Sequence, residues 1–188
     1  MRFTNVFAAV LVSGLLSCSF SHPLDDAGVP AEGPERNALM TSEGLDFTLL
    51  MRTGQRDNGE IFGLLKDRND KALSFPDGTP YLCNGTNDVP GSGLDFTSIL
   101  HNPDGSGKLY MVSQFECPVG AYYMSELAQD GKGELHRVPG TLRYISQKGF
   151  HGGWIHCAGS KTPWESHLGS EEYEPDGRTI EQYRNIDG

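Results

Sequence analysis

Residues Lys108–Ile145 read KLYMVSQFECPVGAYYMSELAQDGKGELHRVPGTLRYI and give the clearest indication of the fold. It contains four short segments rich in aromatic and other strand-favouring residues, at 108–113, 121–127, 134–138 and 141–145. QDGKG at 129–133 is typical of a tight turn, and Asn102-Pro103-Asp104-Gly105 predicts another turn before the first segment. The pattern predicts a meander of short antiparallel strands and an all-β fold.

The pentapeptide GLDFT occurs at Gly44–Thr48 and again at Gly93–Thr97. A repeat of about 40–50 residues with several strands in each period is typical of β-propeller blades. We therefore expect a β-propeller, of which this chain holds about three to four blades. Short helices are expected only around Ile61–Asp67 and Thr179–Arg184.

The N-terminus is predicted to carry an export signal. Arg2 precedes an apolar run from Val6 to Leu16, followed by small residues, which predicts a signal peptide over residues 1–21. Leu15–Cys18 also resembles a bacterial lipobox, so a lipid anchor at Cys18 is the minor alternative. Residues 22–43 are rich in Pro, Gly and acidic residues and predict a flexible segment before a domain at 44–188. The expected location is secreted, periplasmic or extracellular, without a transmembrane segment.

The chain is acidic, with 25 Asp and Glu against 15 Lys and Arg and a net charge of −10. This balance argues against a nucleic-acid partner, because phosphate backbones attract basic surfaces. An acidic protein that acts on a phosphate or sulfate ester needs metal cations to offset the repulsion between charges of like sign.

The four cysteines include Cys18, which leaves with the signal peptide. Three then remain in an oxidising compartment, so one thiol is unpaired within the chain. Cys83 and Cys117 could form a disulfide, which leaves Cys157 as the free thiol.

The chemistry is concentrated at His156–Asp176, HCAGSKTPWESHLGSEEYEPD. We expect a strand that ends at Cys157 and a turn at Thr162–Trp164. Three interpretations are open: zinc bound by Cys157, His156 and His167; a Cys157 nucleophile with a histidine base; or a thiolate that binds a transition metal beside carboxylates that bind a hard cation. On a strand, Glu171 and Glu172 would point to opposite sides.

The segment Trp154–Asp176, WIHCAGSKTPWESHLGSEEYEPD, resembles the signature of the PhoX-type alkaline phosphatases, CAG-x-x-TPW followed by a Glu-Glu pair. Upstream segments such as LDFTSIL and AYYMSEL resemble N-terminal blades of this family. The resemblance implies an exported phosphomonoesterase with a six-bladed propeller and a site of iron and calcium ions. This chain would be the N-terminal portion of such a protein, acting on small phosphomonoesters.

By this resemblance, Cys157 is the thiolate ligand of iron, and Glu171 and Glu172 are carboxylate ligands of iron or calcium. Glu116, in VSQFE, is a further candidate ligand, although the family pattern Asn-His-Glu is replaced by Gln-Phe-Glu here. His156 and His167 are expected to be structural, and no catalytic residue is assigned beyond the metal ligands. The alternatives are a noncatalytic calcium-binding or adhesion propeller and a calcium-propeller hydrolase of another ester, such as a lactone.

Overall fold

The computed structural model describes residues 48–83 and 93–173, and its elements in these ranges are strands with a single 3-10 turn at Lys148–Phe150. The predicted all-β class is therefore confirmed. The strands form open antiparallel sheets, and no closed barrel or ring of blades is present in these ranges. The predicted signal peptide, flexible segment, lipid anchor at Cys18 and helix at Thr179–Arg184 lie outside the described residues.

The main sheet has five antiparallel strands: β3 (Gly93–His101), β4 (Leu109–Glu116), β5 (Ala121–Gln129), β6 (Leu135–Arg137) and β7 (Arg143–Tyr144). Their order is β3-β4-β5-β6, and β7 also pairs with β5. Every strand expected in Lys108–Ile145 is present. β5 alternates buried and half-buried residues up to Leu127, because successive side chains of a strand point to opposite faces.

The segment before the main sheet is built from short pairings. β1 (Arg56–Asp57) pairs with β2 (Glu60–Ile61), and single bridges join Leu64 to Leu82 and Lys66 to Ala72. The expected helix at Ile61–Asp67 is therefore wrong. Gly63 has a φ of +82°, which a right-handed helix excludes. The Phe62 amide donates to the Gln55 carbonyl and the Leu65 amide to the Tyr81 carbonyl, instead of to the residues four positions earlier.

The core packs this segment against the main sheet. Phe62, Phe115 and Tyr123 meet edge to face, with ring centroids 4.9–5.9 Å apart. The Tyr123 hydroxyl donates a hydrogen bond of 2.6 Å to the carbonyl of Leu64, so its polar atom is satisfied in the interior. The expected pair Cys83–Cys117 forms a disulfide at the edge of this core.

The stretch with most of the candidate site residues folds as a hairpin of β8 (His156–Lys161) and β9 (His167–Glu171). The strand begins just before Cys157 instead of ending there, which corrects the expectation. The turn predicted at Thr162–Trp164 is present, because the Thr162 amide donates to the carbonyl of Ser166. The Glu165 carboxylate accepts a hydrogen bond of 2.6 Å from the His101 amide, which fixes the turn to the end of β3.

The chain divides into two units, Met1–Leu49 and Leu50–Gly188, and all the named strands belong to the second. In the part of the chain that the structure describes, no helix is long and apolar enough to cross a bilayer.

Candidate metal centre

The turn into β8 directs Cys157 away from its buried neighbour. Ile155 has a φ of +39°, and its amide donates to the Cys117 carbonyl while its own carbonyl accepts from the Glu172 amide. A β-branched residue rarely adopts a positive φ. The two backbone hydrogen bonds therefore stabilise an unusual backbone conformation at this residue. His156 then points into the interior at 4% exposure, whereas the next residue, Cys157, is half-buried.

Three side chains from three strands converge at this point. Ligand atoms of Asp95 on β3, Glu116 at the end of β4 and Cys157 on β8 all lie within 4.8 Å of one another. Asp95 is exposed and the other two are half-buried, so the group is open to solvent on one side. One sulfur and two carboxylates are a set of donors that a transition metal can bind.

Asp95 reaches this position through an irregularity in the sheet. The regular pairing of β3 with β4 is interrupted between Leu94 and Thr97, and Asp95 lies in that interval. A bulge of this kind redirects a side chain that a regular strand would place elsewhere. Glu116 pairs with Gly93 just beyond the irregularity, so the carboxylates of Asp95 and Glu116 come to the same end of the β3–β4 pair.

Glu172 acts on the same thiol. Its carboxylate raises the pKa of the Cys157 thiol and of the Tyr173 hydroxyl. The Ala158 amide lowers the pKa of the Cys157 thiol, but the Glu172 carboxylate, the loss of water contact and the charge of Asp95 together raise that pKa by more. The thiol is therefore protonated near neutral pH, and a metal cation would replace its proton.

Glu171 lies apart from this group. Its carboxylate accepts a hydrogen bond of 2.8 Å from the Trp154 amide and borders a cavity of about 380 Å³ that is also lined by Tyr122, Phe150 and His156. The expected divergence of Glu171 and Glu172 is thus present. Of the four predicted ligands, the structure brings Cys157 and Glu116 together, while Glu171 faces the cavity. Glu172 is outside the group of three and acts on the pKa of the thiol.

The two histidines bond to protein side chains. His156 Nε2 lies 2.8 Å from Gln147 Oε1, and burial lowers the pKa of His156 to about 4. His167 lies between Ser98 and Gln114, at 2.9 Å from each, and burial lowers its pKa as well. Within the described ranges, neither histidine belongs to a group of three metal-capable residues, so the zinc set of Cys157, His156 and His167 is not assembled.

Asp95 was missed by sequence reasoning. It is the acidic residue of the GLDFT pentapeptide, which suggested a repeat and not a ligand. A second group, Asp130, Glu134 and His136, was also not predicted. All three are exposed: Asp130 and Glu134 lie on the β5–β6 turn and His136 on β6, and the Asp130 carboxylate accepts the amides of Lys132 and Glu134. These bonds account for Asp130 as a turn residue.

Comparisons with protein-family models, curated proteins and solved structures find no match to this chain. The resemblance of Trp154–Asp176 to the PhoX-type phosphatases therefore stays a prediction from the sequence.

Proposed function

We propose that this chain is the N-terminal portion of an exported, metal-dependent phosphomonoesterase of the PhoX type, and that Cys157, Glu116 and Asp95 hold its metal. The observation that carries the proposal is the convergence of these three ligand atoms within 4.8 Å. Two of the three residues were expected as ligands from the sequence alone. Glu172, whose carboxylate raises the pKa of the Cys157 thiol, is the fourth residue of the proposed centre.

The donor set fits the proposed ions. A thiolate suits iron, and carboxylates suit either iron or calcium. When bound, such ions supply the positive charge that a phosphoryl group requires as negative charge develops on its oxygens. The role of the chain is to hold these ions by one sulfur and at least two carboxylates, which allows a protein of net charge −10 to accept an anionic ester.

A partial β-propeller is the architecture that we propose for the domain. The order β3-β4-β5-β6 is an up-and-down meander of four antiparallel strands, as in one propeller blade. The β8–β9 hairpin would then begin the next blade. In a propeller the remaining ligands would come from further blades.

Metal analysis of the exported chain tests the proposal. The protein, exported from its host cell and purified without chelator, is expected to retain iron and calcium. Cys157→Ser and Glu116→Gln should lower the iron content, whereas Glu126→Gln should not, because the Glu126 carboxylate pairs with Lys108 on the exposed end of the sheet. Zinc alone, or no metal in the wild-type protein, would contradict the proposal.

Activity is measured with a chromogenic phosphomonoester on the longer protein of which this chain is the proposed N-terminal portion, because the further blades would supply the remaining ligands. Hydrolysis that chelator abolishes, and that iron and calcium together restore, is the expected result. A protein that keeps both metals but hydrolyses no phosphomonoester would favour the noncatalytic calcium-binding propeller. Hydrolysis of a lactone in place of the phosphomonoester would favour the third alternative.

A further inference from the structure

Gln114 is a buried amide at the point where the main sheet meets the β8–β9 hairpin. It lies on β4 and is fully buried. Its Nε2 donates to Asp95 Oδ1 at 3.2 Å and to the backbone carbonyl of Cys157. One side-chain amide therefore bonds to two of the three residues of the proposed metal centre.

The direction of the amide follows from its partners. Carboxylate and carbonyl oxygens only accept hydrogen bonds, so the NH₂ group must face Asp95 and Cys157. The Oε1 atom then faces His167 Nε2 at 2.9 Å, and this nitrogen must carry the hydrogen. The other ring nitrogen of His167 accepts from Ser98 Oγ at 2.9 Å when the ring is neutral.

Two glycines of the hairpin allow its backbone to approach the main sheet closely enough for this arrangement. A Cβ atom at Gly169 would lie 2.5 Å from Gln114 Oε1, and one at Gly159 would lie 2.2 Å from the ring of Phe96. Glycine at both positions lets the hairpin pack directly against β3 and β4. Phe96 and His167 are also in ring contact, with centroids 5.6 Å apart, so the histidine is held on two sides.

We propose that Gln114, oriented by His167, is a positioning residue that sets Asp95 and Cys157 at the separation needed to bind a divalent metal. This inference rests on the proposed function of the same centre. Partners of this kind commonly change metal affinity by about 10–100-fold, because they fix the direction of ligands that would otherwise move independently. Ser98 completes the chain of bonds Ser98–His167–Gln114 from the interior to the centre.

Cobalt(II) is the probe, because a cobalt–thiolate bond gives a charge-transfer absorption that a carboxylate site lacks. The 188-residue chain is titrated with cobalt(II) alone. Gln114→Met keeps the length of the side chain but removes both hydrogen-bonding ends, and it is expected to weaken binding by about tenfold or more. Tyr123→Phe is the matched control: it removes a buried hydrogen bond to Leu64 on the opposite face of the sheet, because Tyr122, its neighbour on β5, is the residue that pairs with Gln114.

His167 provides a second pair of variants that act without altering Gln114. His167→Leu removes the donor that faces Gln114 Oε1 and should weaken cobalt(II) binding. His167→Gln retains an N–H donor and should restore part of the affinity. This pair carries the test if Gln114→Met does not reach the native circular dichroism spectrum.

Two failures are distinguishable. If wild type and Cys157→Ser bind cobalt(II) equally, or neither gives the thiolate absorption, the proposed metal centre is wrong and the positioning role falls with it. If Cys157→Ser abolishes the absorption but folded Gln114→Met and His167→Leu bind like wild type, only the positioning role is overturned.

Discussion

Cys83 and Cys117 are joined by a disulfide, with Cα atoms 6.0 Å apart, that ties the segment before β3 to the residue after β4. Both cysteines are fully buried. Cys157 is the free thiol of the described residues, half-buried on β8 beside two carboxylates. The structural and the metal-capable sulfur atoms are therefore separate, and reagents that distinguish buried disulfides from open thiols can address each in turn.

Loss of the disulfide should destabilise the domain strongly. The bond closes a loop with a sequence separation of 34, for which chain entropy predicts a stabilisation of about 3–4 kcal/mol. The double variant Cys83→Ala, Cys117→Ala is expected to lose this amount in the free energy of unfolding, measured by urea denaturation. Cys157→Ser is the control and should change that free energy by much less. Equal stability of the double variant and the control would contradict the prediction.

Asp57 should make the domain sensitive to acid. Its carboxylate accepts the amides of Leu142 and Gly140 and pairs with Arg137 at 2.8 Å, and these contacts hold its pKa below the ordinary value. Because the folded pKa is the lower one, the stabilisation is present above the unfolded pKa and is lost as the pH falls through the folded pKa. Asp57→Asn should cost about 1–3 kcal/mol at neutral pH.

The difference in the free energy of unfolding between wild type and Asp57→Asn is expected to decrease in acid. Urea denaturation over a series of pH values measures this difference. Asp77→Asn is the matched control, because Asp77 caps an exposed turn through its own neighbour Thr79 and joins no distant parts of the chain. A constant difference for Asp57→Asn down to strongly acidic pH would show that the charge of Asp57 is not what stabilises this contact.

Gly153 should be required for the packing of His156. A Cβ atom at Gly153 would lie 2.3 Å from the His156 ring and 2.2 Å from Gln147 Oε1. The same Oε1 atom forms a hydrogen bond with the His156 ring. Gly153→Ala is therefore expected to destabilise the domain by about 1–3 kcal/mol, as overpacking does in well-packed interiors. Gly131→Ala is the control, since nothing lies within 4 Å of a Cβ there.

The cause is checked by a double variant. In a His156→Ala background, Gly153→Ala should cost less, because the ring is gone and Gln147 Oε1 is no longer held by its hydrogen bond to that ring. Thermal unfolding of the four proteins gives the coupling between the two positions. If the two substitutions changed the stability additively, the destabilisation by Gly153→Ala would have to come from a contact other than the one with the His156 ring.

The main sheet could be predicted because its signal is local. Residues 108–145 alternate strand-favouring segments with turn residues, and each segment became a strand. The segment Ile61–Asp67 gave no such signal. Its apolar residues Phe62, Leu64 and Leu65 are all buried, and a short apolar run fits a buried helix and a buried extended segment equally well.

The candidate centre was predictable only in part, for the same reason. Cys157 and the Glu-Glu pair lie within one hairpin, so their pattern is visible along the chain. Asp95 joins them through a change in register between β3 and β4, which depends on the pairing of distant residues. That pairing cannot be inferred from the residues next to Asp95 in the sequence. The pentapeptide that contains Asp95 was therefore interpreted only as a repeat.

Alkylation of Cys157 should be slow and should depend on Glu172. The thiolate is the form that reacts, and the Glu172 carboxylate is among the groups that raise the pKa of this thiol. In metal-free protein near pH 8, iodoacetamide is expected to react more slowly with Cys157 than with a free cysteine. Glu172→Gln should increase the rate, whereas Glu126→Gln, on β5, should not. If Glu172→Gln left the rate unchanged, the carboxylate could not be the group that keeps Cys157 protonated.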